Sequence, residues 1–293
     1  MTTVPEQEDP PWGSLPVEQF LVHWDSSSPL TPTEQRSQLV EEFLESETIS
    51  TDTLRIPTAE EIRIVLEPYR PSKLRKIAHQ HVLHASSYDG FYFLRTYYDG
   101  GAEDDSKLQK WFEDFGWNFY SPWRDASSSN DSSDEDDEIS ASRNTWWIIL
   151  DDPKLFDVGD AWSRVYSTLP ELAKPVNTRP FEPMAEQLRL KDELTKSYGY
   201  KPRSEDVFNK MLYMACNGSN RNPIILLDKQ AFSTGEWGLV YLDSKGKVVK
   251  KSQIHPDSLD YLHIGQEIEL IIRKAWWEEG VLGDKYKNIQ HLE

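Results

Sequence analysis

Two carboxylates end an apolar run: the chain reads IILDDPKLFDVGD from Ile148 to Asp160. A pair of acids just past a strand can hold a divalent cation such as Mg²⁺, or serve as general acid and base. The run has an echo. IILLDKQAFSTGE (224–236) aligns with it without gaps, and Ile148, Ile149, Leu150, Asp152, Phe156 and Gly159 meet identical residues at Ile224, Ile225, Leu226, Asp228, Phe232 and Gly235. Only the second acid of the pair recurs, so Asp152 and Asp228 are the candidate catalytic residues, and the candidate metal ligands if there is a metal. Asp151 is incidental to the repeat. The pattern also has a purely structural reading, in which the Asp accepts from amides of the next turn, the Phe folds back onto the core and the Gly permits a tight exit.

His81 and His84 in HQHVLH (79–84) are the candidate acid–base partners. Their i, i+3 spacing shares a helical face but lacks the i, i+4 pair and intervening acid of the zinc-protease helix. Beside the apolar stripe of that helix, His81 also suits a core position. The single cysteine, Cys216, ends a helix, where a thiolate is disfavoured, so it reads as buried and structural. Lys245, Lys247, Lys250 and Lys251 gather on a hairpin, and Arg70, Lys73, Arg75 and Lys76 form a second basic group. Neither has the interleaved aromatics of a nucleic-acid platform. The sequence contains no G-x-G-x-x-G, Walker, G-x-S-x-G or kinase motif, so no nucleotide cofactor is evident.

Periodicity and caps outline the elements that would position these residues. Thr31-Pro32 with Glu34, and Thr58 with Glu61, are capping boxes opening helices, the second ending before Pro68. Helices are also predicted over 72–84, 104–115, 157–169, 184–197 and 204–216, and strands over 90–98, 145–150 and 223–228, with the aromatic 117–123 a further extended piece. IELIIRKAWWEEG (268–280) fits strand or helix, and the 3.6 period of Ile268, Ile271, Ile272 and Ala275 favours helix. EWGLVYLDSKGKVVKKSQI (236–254) reads as a hairpin turning at Asp243–Gly246. The fold class is therefore α/β or α+β, a mixed sheet flanked by helices. The reading divides the chain into an irregular 1–30, a helical 31–124 with one or two strands, an acidic disordered insertion at 125–143 and an α/β region at 144–293. This last region packs with 31–124 if the insertion interrupts one domain.

The net charge of −18 carries functional weight. Asp125, Asp131, Asp134, Glu135, Asp136, Asp137 and Glu138 fall between Arg124 and Arg143, and the remainder is acidic too. Such a surface repels phosphate backbones, which disfavours nucleic acid as a partner. Ser132 and Ser133 precede the acids, as in substrates of acid-directed kinases. One cysteine cannot make an internal disulfide, the first fifteen residues have no leader pattern, and no run of about 18 apolar residues occurs. The expected location is cytoplasmic or nuclear, away from membranes.

Residues 145–280 resemble a family of small α/β domains without known activity. The likeness rests on Asp228 to Phe232, GLVYLD (238–243) and VVKKSQIHPDSL. It implies fold and no function. From the residues themselves, the expected function is non-enzymatic, through contacts with a protein partner and with a regulated acidic loop. The alternative is an enzyme of specialised metabolism acting on a small molecule at the strand ends.

Overall fold

Both expected capping boxes form. Thr31 Oγ1 accepts from the amide of Glu34 at 3.3 Å while the Glu34 carboxylate takes the Thr31 amide at 2.9 Å. Thr58 and Glu61 repeat the exchange at 3.3 and 2.8 Å. The computed structural model describes residues 10–46, 56–83, 91–114, 147–173, 183–199, 203–217, 223–243, 246–256, 276 and 280–289. The chain divides into two compact units, Met1–Ser86 with Arg164–Pro180, and Ser87–Ser163 with Phe181–Glu293. The acidic tract 125–143, the aromatic stretch 117–123 and all of 268–280 except Trp276 and Gly280 lie outside the described residues. Among the described residues, no helix is long and apolar enough to cross a membrane.

The first unit is helical: Pro16–Leu21, Pro32–Glu45, Ala59–Tyr69 and Ser72–Leu83. Val17, Leu21, Leu39, Val40, Phe43, Val65 and Leu66 form one apolar core. The third of these helices runs past Pro68, where the sequence predicts its end. It does so by widening to π winding over Ile62–Leu66. Pro68 has no amide for the carbonyl four residues back, Ile64, and Arg36 Nη2 donates to that carbonyl at 3.3 Å.

The sequence's basic group at 70–76 is partly internal. Arg70 meets Glu171 through two bonds of 3.0 and 2.9 Å, with both side chains fully buried. Arg75 meets Glu18 at 2.8 Å and donates to the carbonyls of Pro10 and Pro11. Its guanidinium lies 3.5 Å from the centre of the Trp12 ring. These pairs hold the N-terminal segment and the returning 164–173 segment on the helices. Tyr69 adds a hydrogen bond to the carbonyl of Ser167.

The second unit is built on a six-stranded mixed sheet in the order β2-β1-β3-β4-β5-β6. The strands are β1 (Phe91–Arg95), β2 (Trp147–Leu150), β3 (Ile224–Leu227), β4 (Trp237–Leu242), β5 (Val248–Ile254) and β6 (Val281–Leu282). β1 lies between β2 and β3 and is parallel to both, while β3 to β6 run antiparallel. Phe93, Ile149, Ile225 and Leu239 share one face with Leu108 and Phe112 of helix Gly101–Asp114 and with Phe208, Met211 and Leu212 of helix Ser204–Asn217. Trp237, fully buried, meets Phe93 and Trp111 edge-on in this core. The alternate residues Tyr92, Leu94, Ile148, Leu150, Ile224 and Leu226 are buried as well. Burial of both faces explains the near-continuous apolar runs of the three parallel strands.

The helix expected over 157–169 does not form as one piece. A separate turn at Pro153–Phe156 precedes its expected start, and a 3₁₀ turn at Trp162–Arg164 runs on into Val165–Thr168. Gly159 interrupts them, with φ of 54°, and gives its amide to the carbonyl of Thr96 at 2.9 Å. A bond to the end of β1 has displaced the local helical pattern.

Candidate functional site

The carboxyl ends of β1, β2 and β3 lie at one end of the sheet. β1 leads through helix Gly101–Asp114 to β2 on one side, and the chain returns to β3 on the other. Connections that part in this way leave the position where open α/β sheets take ligands. Leu94 pairs with Leu150 on one side and Leu226 on the other, so Asp152 and Asp228 both stand two residues beyond the same register line. Two strand spacings separate them, about 10 Å at the backbone.

Each of these aspartates caps a turn. Asp152 Oδ1 accepts the Lys154 amide at 2.9 Å and opens helix Pro153–Phe156. Asp228 Oδ1 accepts the Ala231 amide at 2.9 Å and opens helix Lys229–Thr234. Gly235 closes that second turn with φ of 80°, its amide donating to the Ala231 carbonyl, whereas Gly159 lies beyond the first turn with φ of 54° and donates to that of Thr96. The internal echo is thus the repeat of one local geometry: strand, capping Asp, buried Phe, left-handed Gly.

Alternation along the strands decides which acid meets the rest of the site. Side chains two apart share a face, so Arg95 follows Phe93 and Asp151 follows Ile149 onto the same side of the sheet. The register then sets Arg95 beside Asp151, and Arg95 Nη1 lies 3.5 Å from Asp151 Oδ1 and 2.6 Å from Asp105 Oδ1. Arg95 Nε donates to the carbonyl of Tyr97. The guanidinium sits 4.4 Å from the Tyr98 ring centre and 5.2 Å from that of Phe232. Its side chain is 3% exposed, against 11% for Asp151 and 63% for Asp105. Burial, and next to it the Asp151 carboxylate, push the Tyr98 phenol far above its ordinary range.

Around this centre, Trp111 stacks on Phe232, and Lys107 Nζ reaches the Phe232 carbonyl at 3.4 Å. Asp104 is buried with its Oδ2 unpartnered among the described residues, folded over Gly100. A Cβ on Gly100 would stand 2.0 Å from that oxygen, so a larger residue there would push the Asp104 carboxylate aside.

His81 lies in helix Ser72–Leu83, with its side chain outside what is described, and His84 is outside the described residues altogether. Both belong to the first unit and the aspartates to the second. Among the described residues, no group of three His, Cys, Asp or Glu side chains could hold a metal ion. Arg95, Tyr98 and Asp105 carry no motif. The signal that points to Arg95 is a lone charge ending the β-run FYFL, in phase with its buried residues.

The hairpin lysines separate by the same alternation. Lys250 is buried, donates to the Trp276 carbonyl and lies 5.5 Å from the centre of that ring, whereas Lys251 turns to the other face, 5.7 Å from the Trp162 ring. Cys216 is buried, and burial followed by the nearby Asp243 carboxylate pushes its thiol well up.

Comparison with protein-family models, with curated proteins and with solved structures finds no match. The chemistry of the chain therefore rests on its own residues.

Proposed function

We propose that this protein works through contacts with a protein partner, and that the acidic tract between Arg124 and Arg143 is the segment that binds it. The observation that supports this reading is the use of the strand-end acids. Asp152 and Asp228 hold the turns that follow their strands, and Asp151 neutralises a buried arginine. These contacts account for the strand-end acids without a substrate or a cation. The tract's seven acids favour a partner with a Lys- and Arg-rich surface, bound in a salt-dependent way. Phosphorylation at Ser132 and Ser133 would add further negative charge there. A single cysteine suits a reducing compartment, cytoplasm or nucleus.

Removal of residues 125–142 tests the proposal. The shortened chain should keep its circular dichroism and melting temperature and lose a salt-sensitive partner that the full chain captures. An unchanged set of captured partners would sink it.

The enzyme reading retains one supporting observation. Asp152 and Asp228 stand at the same end of the sheet, about 10 Å apart, where connections diverge. Under that reading Asp152 and Asp228 bind a divalent cation or a small-molecule substrate at the strand ends. Magnesium titration followed by thermal melting separates the two: a stabilisation abolished by Asp152→Asn or Asp228→Asn favours the enzyme, and no shift disfavours it.

A further inference from the structure

The C-terminal end of the described chain is attached to the second unit by a short strand, by Tyr286, Leu282 and Ile289 against the core, and by hydrogen bonds that converge on one carboxylate. β6 has only two residues, pairing with Lys250 and Lys251 of β5, and Val281 is 61% exposed. One helical turn follows, Asp284–Lys287. Lys285 Nζ and the Tyr286 hydroxyl both donate to Asp243 Oδ2, at 2.8 and 2.7 Å. Asp243 is buried and already committed at Oδ1, where it accepts the Lys247 amide that closes the β4–β5 turn. Gly280 and Gly283 flank β6 against the β5 backbone. A Cβ at Gly283 would stand 1.8 Å from the Val248 carbonyl oxygen, and one at Gly280 2.6 Å from that of Lys251. The attachment includes a short strand, two close glycine approaches, one fully buried tyrosine with Leu282 and Ile289 partly buried on the same core, and one carboxylate latch.

Tyr286 is fully buried and joins the core cluster that contains Cys216, at the end of helix Ser204–Asn217. Asp243 holds the Tyr286 hydroxyl, Tyr286 and Cys216 belong to one apolar core, and the Asp243 carboxylate acts on the thiol as well. A short edge segment with one fully buried side chain, Tyr286, opens at lower free energy than the sheet it borders.

We infer that residues 280–289 form a strap that detaches as a unit while the rest of the sheet stays folded, and that Cys216 becomes reactive when it does. Release bares the socket that Tyr286 fills and the β5 backbone at Lys250 and Lys251. The inference is independent of the proposed partner binding.

The test uses the full chain, whose single cysteine makes the signal unambiguous. Labelling by an aromatic disulfide reagent is followed without denaturant and in low urea. The rate should be nearly independent of urea below the global transition, because strap opening exposes little surface. Tyr286→Phe, which removes only a hydroxyl, should raise the rate about tenfold, the loss of one hydrogen bond to a charged group. Asp243→Asn should do the same, with far-UV circular dichroism confirming its fold. If that variant unfolds, Tyr286→Phe decides alone. Labelling that follows the global urea transition, or a Tyr286→Phe rate equal to that of the parent, overturns the inference.

Discussion

Arg95 and Asp151 are neighbours across the parallel β1–β2 pair, with Arg95 Nη1 3.5 Å from Asp151 Oδ1 beneath the rings of Tyr98 and Phe232. The pairing follows from period-two alternation and a register fixed at Leu94 and Leu150. It makes the strand ends a load on stability before they are anything else, since a nearly buried guanidinium must stay neutralised.

Replacing Arg95 by Met should therefore cost about 3 kcal/mol, because Asp151 loses its cation in a largely buried place. Asp105→Ala removes a mostly exposed partner and should cost far less. Urea unfolding with an unchanged m-value checks both, and equal losses would contradict the division of labour between the two acids.

The Arg70–Glu171 pair in the first unit is the more severe case, with both side chains fully buried. Arg70→Met should cost about 3–5 kcal/mol by stranding Glu171, whereas replacing both partners with apolar residues of similar volume should recover most of that loss. Urea midpoints of the single and double variants decide it.

The caps give a smaller, chemically specific signature. Asp228→Ala should lose about 1 kcal/mol and Asp228→Asn only a few tenths, since Asn also caps. Thermal melts of the two variants, repeated for Asp152, measure the difference. An Asn variant as damaging as the Ala variant would show that the negative charge, and not the cap, is what matters.

Alkaline pH supplies a test with a definite sign. Burial raises the phenols of Tyr98 and Tyr286 above their unfolded value, the first aided by Asp151 and the second by Asp243. A raised folded value means that the contribution is complete below the unfolded value, about pH 10, and is lost as pH climbs above it. Urea stability should fall as pH climbs above about 10, and the fall should be shallower in Tyr98→Phe. A profile identical to that of the parent would mean that Tyr98 is not held neutral by the fold.

Much of the architecture is readable from local chemistry. The boxes at Thr31 and Thr58, the apolar runs of β1, β2 and β3 and the Gly246 turn each carry their signal within a few residues. The mixed sheet with flanking helices follows from them. What escapes is set by partners far along the chain. Glu171 and Glu18 look like solvated acids until Arg70 and Arg75 reach them from 101 and 57 residues away. The segment at 157–169 has a helical apolar pattern, but the Thr96 carbonyl takes the Gly159 amide. At the candidate site the internal echo singles out Asp152 over Asp151, and that emphasis identifies the capping residue. Strand phase, the other signal in the same run, identifies the acid that meets Arg95.

The central claim is that the acidic tract, and not the strand ends, makes the functional contact. The most direct measurement compares the full chain and the chain lacking 125–142 in cross-linking from cell extract at low and high salt, with captured proteins identified by mass spectrometry. The account predicts at least one basic partner that is lost on deletion and lost again at high salt, while Asp152→Asn and Asp228→Asn retain it. An identical partner set with and without the tract would contradict it.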